Sequence, residues 1–222
     1  MRLCAIPMIL GVATRLGVAS AFLPRSTFVK HAAIRRFMAS SVDAAEGAAV
    51  ADAAVFTELS RLEIRVGRIV DVSTHPTLEK IFVEKIDLGE EEPRIICSGL
   101  QGYLTEDDLM DKDCVVVCNL KPRDLEGVPS NGMVLCASNK EHTEVKLVVP
   151  PAGVPAGELI TFAGHTSEPA AAGNRAVKAW KKAGGSFATD ENGKAMFVGE
   201  PSAPFQTSLG ICTSTIKGGS IS

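Results

Sequence analysis

The chain has 222 residues, of which 23 are Lys or Arg, 26 are Asp or Glu and 45% are hydrophobic. This length fits one or two domains with a sizeable core, and the composition argues against a wholly disordered or fibrous protein. The formal net charge of −3 conceals an asymmetry: residues 1–41 carry six bases and no acid, whereas residues 42–222 carry a net charge of −9. A one-sided basic block at an N-terminus is typical of a targeting segment.

Residues 1–41 combine two targeting patterns. A short apolar run at 3–10 and the small residues at 19–21 are typical of a secretory signal peptide, and the uncharged stretch is shorter than the roughly 20 residues of a membrane span. Residues 22–37 are basic, hydroxylated and free of acids, as in organelle transit peptides. Together they resemble the bipartite plastid presequence of algae with a secondary plastid, cut just before Phe22. We therefore expect plastid (chloroplast) import of the protein; mitochondrial import, or a cytoplasmic form translated from Met38, are the alternatives.

The residues after the presequence predict a linker and then a series of strands. Residues 42–60 are rich in alanine and acids, as in a solvated linker. From Leu62 the apolar residues alternate with period two, and Gly67 interrupts them where a bulge would let one strand serve two sheet faces. A short helix is expected after Thr105, whose hydroxyl can cap its first turn. Further strands are predicted at 81–88, 94–97, 114–120, 132–137 and 144–149. Several short strands with one brief helix indicate an all-β domain, an OB-type barrel over residues 61–159.

Residues 160–222 form a C-terminal segment with weaker strand signals and more glycine, alanine and proline. A helix is predicted over 175–182, with Asn174 as its cap and two glycines after its end. Its spacing i, i+3, i+7 puts three cations on one face, the most basic region beyond residue 41: Arg175, Lys178 and Lys182.

The sequence contains no motif for catalysis. It has no phosphate-binding loop, dinucleotide fingerprint, nucleophile elbow or zinc-protease helix. A binding protein that is not an enzyme and has no cofactor or metal is therefore predicted. The five cysteines beyond residue 41 lack disulfide or zinc spacing and are expected to be small buried side chains: Cys97, Cys114, Cys118, Cys136 and Cys212.

Several ordered blocks of sequence carry a family resemblance. They are LEIRVGRI at 62–69, HP at 75–76, FVEKIDLGE at 82–90, RIICSGL at 94–100, NLKP at 119–122 and SNGMVLCA at 130–137. In this order they resemble the OB-fold tRNA-binding domain of the endothelial monocyte-activating polypeptide II type, which occurs at the C-terminal ends of some methionyl- and tyrosyl-tRNA synthetases and in free-standing synthetase cofactors. Weaker matches continue through residues 160–222. The resemblance implies a monomer that binds tRNA by its shape and backbone and assists an aminoacyl-tRNA synthetase, with the C-terminal extension packed on the barrel.

The resemblance also implies which residues face RNA: Ser98, Asn119, Lys121, Ser130 and Met133, with Lys80 and Arg94 as supporting charges. Charge alone adds Arg123 and the three helix cations at 175–182. For Asn119 and Ser130 the alternative is a structural role in turns, and for Met133 a place in the core. Trp180 is expected to pack against the barrel rather than to stack on a base.

One departure from the family pattern bears on RNA affinity. After NLKP the family has basic residues ahead of a glycine, but here Asp124 and Glu126 stand at those positions. Acids there weaken phosphate binding, which is largely electrostatic. The alternative hypothesis is therefore a protein-interaction module of the same fold with weak or no RNA binding.

Overall fold

The computed structural model describes residues 54–222, and their regular secondary structure is mostly β-strand. The first nine strands are β1 (Ile64–Thr74), β2 (Phe82–Asp87), β3 (Arg94–Ser98), β4 (Asp113–Val117), β5 (Arg123–Leu125), β6 (Val128–Ser130), β7 (Met133–Val134), β8 (Cys136–Ser138) and β9 (Val145–Leu147). The extension adds β10 (Phe187–Thr189), β11 (Ala195–Phe197), β12 (Ala203–Pro204), β13 (Gln206–Thr207), β14 (Gly210–Ile211) and β15 (Ser220–Ile221). The helices are α1 (Glu106–Leu109) and α2 (Asn174–Ala183), with 3-10 turns at Leu59–Arg61 and Gly184–Ser186. The predicted presequence and most of the predicted linker lie outside the described residues.

One long strand, β1, organises the barrel. It pairs with β4 from Ile64 to Arg68 and with β2 from Arg68 onward, within a single sheet. The register shift lies between Ile69 and Asp71, later than the predicted bulge at Gly67. Gly67 serves close packing instead, because a Cβ there would lie 2.7 Å from Cγ2 of Ile86.

The strands form two main sheets. One contains only barrel strands, and the other contains strands of both the barrel and the extension. The first has five strands in the order β3-β2-β1-β4-β7, and every pair in it is antiparallel. The second has the order β12-β11-β10-β15-β8-β9, so extension strands continue a sheet that starts in the barrel. The predicted barrel with a C-terminal extension packed on it is confirmed. The β5–β6 hairpin and the short strands of the extension were not predicted.

The hydrophobic core lies on both sides of β4. Cys114 and Val116 face the barrel interior, whereas Val115 and Val117 belong to a second cluster that includes Phe187 of the extension. All four β4 side chains are inaccessible to solvent. The extension therefore covers an outer barrel wall that would otherwise expose apolar side chains to water.

The two helices differ in how well their starts were predicted. Thr105 caps α1 in a capping box with Asp108, as expected. The prediction that Asn174 caps α2 is wrong, because Asn174 is the first helical residue and Gly173 precedes it as the cap. Gly173 has φ +146°, a conformation open to glycine, and its N–H donates to the carbonyl of Asn119 at 3.2 Å.

Most of the cysteine side chains are buried. Four thiols are buried as predicted, Cys97 is half-buried, and burial raises the pKa of Cys118, Cys136 and Cys212 to about 12. Within residues 54–222 no helix is both long and apolar enough to cross a membrane. In the same range no group of three or more His, Cys, Asp or Glu side chains is arranged to hold a metal ion.

Candidate nucleic-acid interface

The β5–β6 hairpin carries Arg123 and is held by a hydrogen bond from the buried His75. The Nε2 of His75 donates to the carbonyl of Leu125 at 2.9 Å. Its Nδ1 accepts from the N–H groups of Thr77 and Leu78, each at 3.2 Å, which fixes the neutral tautomer with the proton on Nε2. Because His75 is 6% exposed, the hairpin has a rigid support.

The two acids that break the family pattern have local structural roles in this hairpin. Asp124 accepts a hydrogen bond from the N–H of Gly127 at 2.8 Å and so closes the turn. Glu126 has φ +47° and accepts from the hydroxyl of Thr77 at 2.6 Å. Both side chains are exposed, so each adds negative charge beside Arg123 while it stabilises the turn.

A cavity of about 220 Å³ lies between this hairpin, β7 and α2, and we call it the hairpin pocket. Met133 and Trp180 are half-buried in its wall, and the exposed cations Lys121 and Arg123 also line it. Ser130 lines it as well. Four of the predicted RNA-facing residues are thus brought together with Trp180, which was expected only to pack.

On the other side of α2 is a wider basic groove of about 640 Å³. Its cations come from α2 and from the 3-10 turn before β1: Arg61, Arg175, Lys178, Lys181 and Lys182. Among residues 54–222, Glu58 is the only acid that lines it, and this carboxylate lies 2.9 Å from Lys182 Nζ and 3.3 Å from Arg61 Nε. The hydrogen bond from Lys182 is the main reason that the pKa of Glu58 is lowered.

Helix α2 forms a wall shared by the two sites. Val177 and Trp180 face the hairpin pocket, and the basic residues of the helix face the basic groove. The predicted helix cations and the predicted Lys121 and Arg123 are therefore neighbours on one region of the surface. Lys80 is exposed in the turn before β2 and lines neither site.

Three predicted contacts are already occupied by internal hydrogen bonds. Asn119 is 1% exposed, accepts from the N–H of Glu63, and donates to the carbonyls of Arg61 and Ala170. Arg94 makes a bidentate pair with Glu90 at 2.6 and 2.7 Å and also donates to the carbonyls of Cys118 and Asn131. The hydroxyl of Ser130, at 7% exposure, accepts from the N–H of Cys97. These hydrogen bonds hold the loops of the interface in place.

Ser98 is tied to a buried acid that the sequence reasoning missed. Its hydroxyl donates to Oε1 of Glu84 at 2.5 Å, and Glu84 is fully buried. The other carboxyl oxygen of Glu84 has no hydrogen-bond partner among residues 54–222. Burial raises the pKa of Glu84 to about 7. The position of Glu84 within a regular period-two strand was the only signal that it faces inward.

Two further cations of the basic groove were missed, Arg61 and Lys181. Helical spacing could have identified Lys181, since it lies next to Lys182 and one turn after Lys178. Arg61 gave no such signal, because it precedes the first strand and reaches the groove only through the 3-10 turn. Its guanidinium lies 4.6 Å from the ring centre of Phe56.

Comparisons with known proteins agree with this architecture. The family model described as "Putative tRNA binding domain" matches residues 64–159. The chain is 40% identical over 161 residues to the probable methionine--tRNA ligase of Oryza sativa subsp. japonica, covering 72% of this chain and 20% of that ligase. It is 37% identical to the aminoacyl tRNA synthase complex-interacting multifunctional protein 1 of Cricetulus griseus, covering 65% of this chain and 40% of that protein. The chain therefore spans less than half the length of these curated relatives.

A solved structure extends the likeness to the extension. The C-terminal domain of Plasmodium vivax p43 is 31% identical, with a TM-score of 0.65. The match covers 74% of this chain and 98% of that domain, so it includes the barrel and most of the residues beyond it.

Proposed function

Because this chain belongs to the tRNA-binding-domain family, we propose that it is a non-catalytic protein that binds tRNA by its shape and backbone. The observation that carries the proposal is the gathering of exposed cations on both sides of α2. Residues 42–222 are acidic overall, at −9, so this concentration of positive charge marks one region for a polyanion.

The chemistry of this region suits a folded RNA better than a single strand. Single-strand readers stack successive bases on several exposed aromatic side chains, whereas double-helical RNA is recognised through phosphates and 2′-hydroxyls. Exposed Lys and Arg side chains line both sites, and among residues 54–222 Trp180 is the only aromatic residue in either lining.

A binding titration tests the proposal. Folded tRNA and an unstructured RNA of equal length are titrated across salt concentrations. We expect tighter binding of the folded tRNA, and a logarithm of the binding constant that falls linearly with the logarithm of the salt concentration. Undetectable, equal or salt-insensitive binding of the two RNAs would overturn the proposal.

Asp124 and Glu126 favour a second candidate, a protein-interaction module with weak or no RNA binding. The double variant Asp124→Asn, Glu126→Gln removes both charges and keeps the oxygen that accepts from Gly127 and the one that accepts from Thr77. If the parent chain already binds tRNA through its cations, the double variant should gain only a few-fold in tRNA affinity. A rise from undetectable to strong binding would instead support the second candidate. Glu141→Gln with Glu191→Gln, two exposed acids that line neither site, is the control.

We further propose that the protein works as a monomer in the plastid and assists an aminoacyl-tRNA synthetase there by raising the local tRNA concentration. The basic, acid-free residues 1–41 support the location, and the synthetase names of its relatives support the partner. A fluorescent reporter fused to residues 1–41 tests the location, and a uniformly cytosolic signal would contradict it. Affinity capture of the mature protein tests the partner. If no synthetase is retained, the proposed partnership is wrong.

A further inference from the structure

The hairpin pocket has one aromatic wall that is held in a fixed place. Trp180 packs against the outer core cluster, and its ring centre lies 5.6 Å from that of Phe187. Gly184 backs the indole so closely that a Cβ on it would lie 2.9 to 3.1 Å from three ring atoms. The ring is thus fixed from behind while part of its surface remains open to the pocket. A binding surface that is already ordered loses little entropy when a ligand binds.

The pocket also has two cations, Lys121 and Arg123, that make no ion pair with a carboxylate of residues 54–222. Among residues 54–222 no carboxylate lies within 4.0 Å of the cationic nitrogens of Lys121 or Arg123, whereas Arg94 and Lys182 are ion-paired. Asp124 follows Arg123 in β5, so the alternation of a strand directs its side chain to the opposite face. An anionic group at this site would therefore meet two available cations.

Size and chemistry together select the kind of ligand. At about 220 Å³ the pocket is smaller than the about 300–1,000 Å³ of sites for drug-sized molecules, so it suits one flat ring system. Met133 and Trp180 offer an apolar, polarisable surface, on which nucleobases stack readily. An apolar wall next to two cations, Lys121 and Arg123, is complementary to a nucleotide, whose base is flat and whose phosphate is negatively charged.

We propose that the hairpin pocket takes one unstacked nucleotide of the bound RNA, with the base against Trp180 and the phosphate on Lys121 and Arg123. This inference rests on the proposed function. It adds a subsite for a single nucleotide to a surface that otherwise recognises the shape and backbone of the RNA. The rest of the RNA lies across α2 and the basic groove.

The fluorescence of Trp180 gives a direct test, because it is the only tryptophan of the chain. The full chain is titrated with adenosine 5′-monophosphate and, separately, with ribose 5-phosphate. We expect saturable quenching by the nucleotide and none by the sugar phosphate. The double variant Lys121→Gln, Arg123→Gln should lower the affinity for the nucleotide on the order of tenfold, as expected for lost charge-assisted hydrogen bonds. Lys194→Gln with Lys217→Gln, two exposed cations elsewhere, should leave it unchanged.

The outcomes separate the pocket from the function as a whole. If tRNA binds but the nucleotide leaves the emission unchanged, the pocket proposal fails and tRNA binding stands. Quenching by phenylalanine amide and not by the nucleotide would indicate a protein partner and overturn the proposal. If the nucleotide quenches but tRNA does not bind, the pocket is a nucleotide site and the proposed function fails.

Discussion

Glu84 is a carboxyl group enclosed by the barrel, with one hydrogen bond from Ser98 and one oxygen without a partner among residues 54–222. Its negative charge adds to the effect of burial in raising the pKa of three nearby thiols, Cys97, Cys114 and Cys136. Among residues 54–222 no cation forms an ion pair with Glu84, and its burial favours the protonated form. Ser98, a predicted RNA contact, is therefore oriented by a group whose charge changes near neutral pH.

This arrangement predicts a stability that falls as the pH rises. The pKa of Glu84 is about 7 in the fold against an ordinary value of 4.5, so its contribution is complete below about pH 4.5 and is lost as the pH rises through 7. The difference corresponds to about 3 kcal/mol. Glu84→Gln should remove this part of the pH dependence, as measured by urea unfolding at pH 5 and pH 8.

The comparison with the parent chain isolates this one group, because the other titratable groups are common to both proteins. Exposed Glu141→Gln serves as the control and should follow the parent at both pH values. An identical loss of stability between pH 5 and pH 8 in Glu84→Gln and the parent would show that Glu84 does not carry the effect.

At the scale of elements, the β5–β6 hairpin depends on His75 for its position. His75→Ala removes the donor to Leu125 and the acceptor for the N–H groups of the turn after β1. We expect a loss of about 1–3 kcal/mol in the free energy of unfolding, because buried polar groups lose their partners. The hairpin amides should also exchange hydrogen faster, and tRNA affinity should fall, since Arg123 is carried by the hairpin.

Hydrogen exchange monitored by NMR checks the prediction residue by residue. Thr74→Ala, at the exposed end of β1, is the control and should leave the hairpin amides protected. Unchanged protection at Leu125 and Val128 in His75→Ala would mean that the hairpin is held by other contacts.

Strand length determined which elements the sequence could predict. β1 and β2 are long enough for period two to appear: the start of β1 was predicted to within two residues, and both ends of β2 to within one. The extension is built from strands of two or three residues, which are too short to show a period, and its pairing is set by partners distant in the chain. The same limit applied to the site: a pattern marks Asn119 and Ser130, but only the fold shows that their polar atoms face inward.

At the scale of the whole molecule, Phe187 belongs to the core cluster that contains side chains of both the barrel and the extension. It is 2% exposed, and its ring lies 5.0 to 6.4 Å, centre to centre, from four other aromatic rings. Phe187→Ala should lower the free energy of unfolding by about 3–5 kcal/mol, as for other large cavities in a core. Leu209→Ala, at a position 58% exposed, should change it by less than about 0.5 kcal/mol.

Because the two cores share β4, barrel and extension should unfold together. Trp180 fluorescence reports the extension, and far-ultraviolet circular dichroism reports all strands. Coincident transitions by the two probes are expected in the parent chain and in Phe187→Ala. Separate transitions would show that the extension folds on its own.

The placement of β15 has a consequence for how the chain is made. β15 lies inside the six-stranded sheet, where Ser220 pairs with Ala188 on one side and with Ser138 on the other. β15 leaves the ribosome after all of its neighbours in the sheet, so the centre of the sheet stays unpaired until then. Pairing over such sequence separations is slow. The centre of this sheet is therefore expected to form late, only after residues 220 and 221 have left the ribosome.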